Sequence, residues 1–216
     1  SWSIAIAVCT DLQSKWLPAC LESLLGQTSG SSSAGVGVLV VINLPEECAS
    51  TSHEGTLAEL RSLVEANQWV QLVFCPHRGI PQARNFALEW ALSRSIERLA
   101  FIDDDCVADP NWIQELISCQ QKFSAQVVAG AWTLAPDGLP SSLIPHDTWL
   151  PQGYLVEGVE SETGTYLPYA FTRSVLFEVS NNPMIKAGLR FDETRRETGG
   201  SDVLFFRELV RAGQTI

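Results

Sequence analysis

Three aspartates in a row, Asp103, Asp104 and Asp105, follow the apolar run Leu99-Ala100-Phe101-Ile102, and Asp109-Pro110 comes soon after. Side chains alternate along a strand, so Asp103 and Asp105 would face one way and Asp104 the other. Crowded carboxylates raise one another's pKa, and a pair of them in a half-buried crevice calls for a cation. Oxygen-only ligation suits Mg²⁺ or Mn²⁺, ions that typically use one or two carboxylates and complete their shell with phosphate oxygens. The chemistry open to these residues is therefore the binding of a metal-bridged diphosphate. An acidic triplet by itself more often marks a solvated turn. Position decides here, because open α/β sheets bind ligands in the crevice at the carboxyl ends of their strands.

That position depends on the elements around the triplet. Ile4 to Cys9 is a continuous apolar run of strand length, and Leu17, Cys20, Leu21, Leu24 and Leu25 recur at helical spacing up to Gly26. After a Ser/Gly stretch from Thr28 to Gly35, Val36 to Ile42 reads as a second strand broken at Asn43-Leu44-Pro45, and residues 45–55 read as loop. Thr56 and Glu59 have capping-box spacing ahead of Leu57, Leu60, Leu63 and Val64, predicting a helix to about Asn67. Val70 to Cys75 is a third strand. Pro81 suits a first helical position before the apolar stripe Ala83, Phe86, Ala87, Trp90 and Ala91. The fourth strand delivers the aspartates. Asp109 as N-cap and Pro110 then open a helix with Trp112, Ile113, Leu116 and Ile117 inward, and Gln126 to Trp132 reads as a fifth strand. This alternation predicts a largely parallel sheet with helices on both faces.

Periodicity fails between Thr133 and Gly164, where Pro136, Pro140, Pro145 and Pro151 punctuate a long connection. His146, Asp147 and Trp149 are pocket candidates there, although lone polar loop residues are mostly just solvated. A last helix, Asp202 to Ala212, turns Val203, Phe206, Leu209 and Val210 inward and stops at Gly213. The residues up to Ile216 read as the start of another strand, so a longer protein is expected.

Composition bounds the function classes. At 216 residues, 45% hydrophobic and 18% charged, the chain reads as one soluble globular domain. The sequence offers no apolar run near the ~20 residues of a bilayer span and no basic leader, so a cytoplasmic setting is expected. Cys9, Cys20, Cys48, Cys75, Cys106 and Cys119 are widely spaced and read as reduced, structural residues. A net charge of −11 argues against nucleic acid or an anionic membrane surface as partner. It is compatible with a nucleotide diphosphate, provided that a divalent ion and one or two arginines offset the local charge.

Taken together, these residues resemble a family 2 glycosyltransferase of the GT-A fold. The opening strand with Thr10, the helix ending Leu24-Leu25-Gly26-Gln27-Thr28, Arg78-Gly79 with Ala83-Arg84-Asn85, and the triplet with Asp109-Pro110-Asn111-Trp112 occur in the family's order. Phe191-Asp192-Glu193 and Gly199-Gly200-Ser201-Asp202, running into Arg207 and Gly213, resemble the segment with the family's catalytic base. The resemblance implies a single GT-A domain over 1–216, a three-layer α/β/α sandwich with a mixed but largely parallel sheet. Residues 1–132 would form a Rossmann-like nucleotide-sugar half and 133–216 the acceptor and catalytic-base half, truncated at its C-terminus. It further implies an inverting transferase, UDP-sugar favoured, with Mn²⁺ or Mg²⁺ on Asp103 and Asp105. Asp103 and Asp104 would contact the donor, Thr10 and Asn43 would flank the nucleobase, Arg78 or Arg84 would touch base or phosphates, and Asp202 would be the base. Read alone, Thr10 is a turn residue, Arg84 a helix-surface charge and Asp202 a structural N-cap. The acceptor would be a saccharide, lipid or small molecule. Contact with the inner face of a membrane would come only through parts outside this chain.

The pattern departs from the family at three places. Asn43 stands where an acid is usual, Cys9-Thr10-Asp11-Leu12 replaces the usual Pro-Thr-Tyr-Asn, and Ser201 replaces a glutamate before the base. Two other classes fit parts of the pattern. Asp103-Asp104-Asp105-Cys106-Val107 satisfies the D-x-D-x-[TV] motif of haloacid-dehalogenase-type phosphatases, whose motif follows the first strand of the core. A nucleotide-sugar-binding module without turnover is the other.

Overall fold

The computed structural model describes residues 2–28, 35–132, 163–196 and 198–216. Its sheet has six strands: β1 (Ile4–Thr10), β2 (Val36–Ile42), β3 (Val70–Phe74), β4 (Arg98–Asp103), β5 (Val127–Ala129) and β6 (Ser174–Glu178). Their order is β3-β2-β1-β4-β6-β5. The first four are parallel, and β6 runs antiparallel between β4 and β5. The helices are α1 (Leu17–Thr28), α2 (Glu46–Ser52), α3 (Glu54–Ala66), α4 (Ile80–Ser93), α5 (Trp112–Phe123), α6 (Pro183–Lys186) and α7 (Ser201–Arg211), with a 3-10 turn over Glu193–Arg195.

Both faces of the sheet are covered, so β1 and β2 read as unbroken apolar runs rather than alternating ones. Ile6, Val8, Val38, Val40 and Ile102 face Leu21, Leu24, Leu57, Ile113 and Leu116 from α1, α3 and α5. Ala7, Val41, Phe101 and Phe177 face Ala87, Leu88, Phe205, Phe206 and Leu209 from α4 and α7. The chain leaves β1 first toward β2 and β3 and then returns to β4 on the other side. That reversal makes the carboxyl ends of β1 and β4 the topological switch point, the place where such sheets bind ligands. The parallel core and its two helical layers match the expected architecture.

Several local expectations need correction. Residues 46–52 are helical rather than loop; their single buried residue, Ala49, leaves no apolar stripe to read. α3 begins at Glu54, one turn ahead of the Thr56/Glu59 pattern, and its N-cap His53 makes no side-chain cap. α5 begins at Trp112 after Asn111, so Asp109 and Pro110 form the approach rather than the cap. Its capping is supplied from α1. Buried Gln27 accepts from Ile113 N–H at 3.1 Å through Oε1, and its Nε2 donates to the Asp109 and Pro110 carbonyls at 2.8 and 3.3 Å. β5 is shorter than expected, and residues 214–216 form no strand: Thr215 and Ile216 carbonyls accept from Val127 and Leu167 N–H. His146, Asp147 and Trp149 lie outside the described residues. All six cysteines are free, and Cys48 is exposed rather than part of the core.

Gln27→Leu should destabilise the fold by about 1–3 kcal/mol, because it leaves the buried Ile113 N–H without its acceptor. Urea titration with an unchanged midpoint would show that water takes over the cap.

Candidate active site

Strand register assembles the site. Cys9 pairs with Asp103 and Thr10 with Ile42, so Thr10, Asn43 and the three aspartates arrive together at the carboxyl edge of three adjacent strands. Alternation along β4 turns Asp103 to the face shared with Phe101, where α4 and α7 pack, and Asp104 to the face of Ile102. The expected division of the triplet is thus present for these two. Asp105, in the turn beyond the strand, is exposed and still close enough to repel both.

Burial is the main cause that raises the Asp103 carboxyl above the ordinary carboxylate range; Arg84 opposes it, Asp105 adds to it, Arg173 opposes and Asp202 adds. Those causes also name the neighbours of Asp103. Burial likewise raises Asp104, opposed by a hydrogen bond from Thr10. Thr10 is buried, and its Oγ1 accepts from Leu12 N–H at 3.0 Å. Behind the triplet, burial pushes the thiols of Cys9 and Cys106 up to about 12, so both are neutral packing groups.

Asn43 is buried and its Oδ1 accepts from Gly79 N–H at 2.8 Å, which fixes the loop ahead of α4. Gly79 has φ 145°, and a Cβ there would meet Gln82 Oε1 at 1.9 Å, so the turn requires glycine. Arg78 is exposed beside it. One turn into α4, Arg84 Nη2 lies 3.9 Å from Asp103 Oδ1 while Nη1 donates to Ser201 Oγ at 3.3 Å. This partly buried guanidinium links the end of β4 to the start of α7.

α7 starts after Gly199 and Gly200, with φ of 72° and 74°. This left-handed pair turns the chain so that Ser201 is buried under Arg84 and Asp202 faces the sheet edge. Asp202 Oδ2 accepts from the N–H and hydroxyl of buried Thr172 at 3.4 and 3.5 Å. Rings hold the helix: Phe205 stacks on Phe191 with centroids 4.1 Å apart, and both Phe205 and Phe206 meet Phe177 edge-on. Asn85 ties Phe191 to α4, accepting from its N–H at 2.8 Å and donating to its carbonyl at 2.9 Å.

The structure therefore brings Thr10, Asp103, Asp104, Arg84 and Asp202 around one edge, with Asn43 behind it as a loop anchor and Arg78 at its rim. Thr172 and Arg173, which lie beside Asp202 and Asp103, were singled out by no sequence pattern. Thr172 and Arg173 precede β6, and only its antiparallel insertion beside β4 brings them to the aspartates. The carboxylate oxygens of Asp103 and Asp105 have the neutral Cys106 thiol beside them, 3.6 Å from Asp105 Oδ1, and among the described residues no group of three or more His, Cys, Asp or Glu could cage a metal. Two carboxylates suit Mg²⁺ or Mn²⁺ that takes its other ligands from phosphate and water, so Asp103 and Asp105 fit such an ion. No described helix is long and apolar enough to cross a membrane.

The profile of the family described as glycosyl transferase family 2 matches residues 3–161. No curated protein sequence matches the chain. Among solved structures, a mannosyltransferase from Pyrobaculum calidifontis in complex with GDP-Man and Mn²⁺ is similar with a TM-score of 0.67 and 16% identity, covering 99% of this chain and 53% of that one. Staphylococcus aureus TarS 1-349 is similar with a TM-score of 0.63 and 14% identity over 94% of this chain and 54% of that one. The same protein in complex with UDP-GlcNAc gives 0.61 and 15%. The chain spans about half the length of these relatives, and the likeness establishes the GT-A fold. In this fold the triplet lies on the fourth strand of the sheet, not after the first as in dehalogenase-type phosphatases, and that alternative is set aside.

Proposed function

The chain belongs to glycosyl transferase family 2, and from that membership we propose that it moves a sugar from a nucleoside-diphosphate sugar to an acceptor hydroxyl with inversion at the anomeric carbon. The observation that carries this reading is the convergence of Asp103 and Asp202 on one face at the carboxyl edge of β1 and β4, from residues 99 positions apart. The similar structures hold UDP-GlcNAc in one case and GDP-Man with Mn²⁺ in another, which supports the donor class and leaves the base to be tested. We keep UDP as the favoured nucleotide, and the cytoplasm as the setting.

In this reading Asp103 and Asp105 would hold Mn²⁺ or Mg²⁺, which when bound would supply neutralisation of the charge on the departing diphosphate. Asp202, oriented by Thr172, accepts the acceptor hydroxyl's proton as that oxygen bonds to the anomeric carbon. The bond from that carbon to the diphosphate oxygen breaks, and its electron pair leaves with the nucleoside diphosphate. Arg84 keeps Asp103 and the start of α7 in fixed relation, so the donor carboxylates and the base act on opposite ends of one sugar. Asn43, its Oδ1 bonded to Gly79, serves the nucleobase by shaping the loop beside it, with Thr10 and Arg78 around the same pocket.

Thermal melting tests this. UDP or GDP with Mn²⁺ at about 100 times its dissociation constant should stabilise the protein by about 2.7 kcal/mol, and a chelator should abolish the gain. Equal shifts with and without metal would remove the metal bridge; absence of any shift with either nucleotide would remove the donor class. Tight binding without transfer by the complete protein would identify a module that has lost turnover.

A further inference from the structure

Arg173 stands beside Asp103, and among the described residues no protein group accepts a hydrogen bond from its guanidinium. β4 and β6 pair Ile102 with Ser174, and because the strands are antiparallel the next step along β4, Asp103, lies opposite the preceding step along β6, Arg173. Ser174 turns toward α5, where its hydroxyl accepts from the Trp112 indole at 3.0 Å, so alternation turns Arg173 to the face of Asp103, Arg84 and Asp202. The guanidinium lies 4.3 Å from the Trp132 ring centroid and 5.6 Å from that of Phe171. Stacking of this kind holds the plane and leaves the five N–H groups pointing outward at its edge. Among the described residues none of them donates a hydrogen bond or closes an ion pair. Its charge is nonetheless felt at Asp103 and at Cys106.

Arg84 reaches Asp103 from α4, which packs over β1 and β2, whereas Arg173 comes from the β6 side. Two cations thus flank the carboxylate on either side of β4, and they differ: Arg84 is engaged by Ser201 and Asp103, while among the described residues Arg173 is engaged by aromatic faces. A planar cation with free donors at its edge is built to take phosphate oxygens two at a time.

We propose that Arg173 binds the distal phosphate of the donor's diphosphate, on the β6 side of Asp103. This deepens the nucleotide-sugar reading and rests on it. An acceptor carboxylate is a weaker candidate, since the proton-accepting end of the site is at Asp202, where Thr172 rather than Arg173 makes the contacts.

The test compares nucleotides that differ by that phosphate alone. In the complete protein with Mn²⁺, titration calorimetry of UDP and UMP, or GDP and GMP, gives an affinity ratio that reports the distal phosphate. Arg173→Gln should weaken the diphosphate about tenfold or more while leaving the monophosphate nearly unchanged, the size expected for a lost charge-assisted hydrogen bond. Arg173→Lys keeps the charge without the fork, should recover part of the ratio, and serves if the glutamine variant does not fold. An unchanged ratio in either variant, or an equal loss for both nucleotides, would overturn the assignment and leave Arg173 a packing residue. Failure of the underlying reading looks different: wild-type protein would then bind neither diphosphate.

Discussion

Asp202→Asn is expected to stop sugar transfer while leaving donor binding intact. The amide keeps the size of the side chain and one oxygen to accept from Thr172, whose backbone and hydroxyl hold Oδ2 now, so the start of α7 should survive. What disappears is the proposed acceptor of the hydroxyl proton, a role typically worth ~10²–10⁴ in rate. The loss should fall on kcat, with the UDP or GDP melting shift unchanged. Because this chain spans about half of its solved relatives, the measurement belongs to the complete protein. Transfer at the wild-type rate by that variant would move the base elsewhere.

The second large effect is at the strand end. Asp103→Asn and Asp105→Asn should each abolish the metal-dependent part of nucleotide binding without lowering the stability of the metal-free fold. The sign follows from Asp103. Its carboxyl is raised in the folded state, mainly by burial, so the native protein binds a proton more readily than the unfolded chain does. Its contribution to stability therefore falls as pH rises out of the ordinary carboxylate range through the raised value, and at neutral pH the ionised group is a cost. Asparagine removes that cost, and Arg84 retains Ser201 as a partner. The metal-free melting temperature of Asp103→Asn should equal or exceed that of wild type at pH 7, and the two should converge toward pH 4. Calorimetry showing wild-type affinity for Mn²⁺ and diphosphate in both variants would take the aspartates out of the site.

Much of this arrangement is legible from residue order because parallel strands buried on both faces appear as apolar runs, and β1 through β4 announce themselves that way. The amphipathic α1, α4 and α7 follow from 3.6-residue spacing. α2 is hidden since its residues are nearly all polar or exposed, leaving nothing for periodicity to find. The cap of α5 is hidden for a different reason: its acceptor, Gln27, is 86 residues away on α1. The aspartates were conspicuous as a run at a strand end. Arg173 was not, because a single arginine before Ser174-Val-Leu-Phe-Glu becomes part of the site only through antiparallel pairing with β4, a relation that local sequence does not encode. Asn43 shows a third kind of limit: its place just after β2 is legible from the strand pattern, while its partner, the Gly79 backbone, depends on a loop conformation.

The place of β6 also dictates an order of assembly. The outer edge of β4, from Arg98 to Ile102, finds its partner only in residues 174–178, and β5 pairs with β6 rather than with β4. During synthesis from the N-terminus, β1 to β4 can pair as soon as Asp103 has emerged, while β5 must wait tens of residues for the strand that will hold it. Until then β4 is an open edge, with free backbone donors and acceptors and the three aspartates at its tip. A nascent chain halted before residue 173 would hold the triplet and Arg84 but neither Arg173 nor Asp202, and its sheet would end at the strand that later becomes interior. Long-range closure of this kind is slow compared with pairing between neighbours in the chain. Protection of the open edge of β4 and the arrival of Arg173 beside the aspartates are the same event, and Asp202 joins them only with α7.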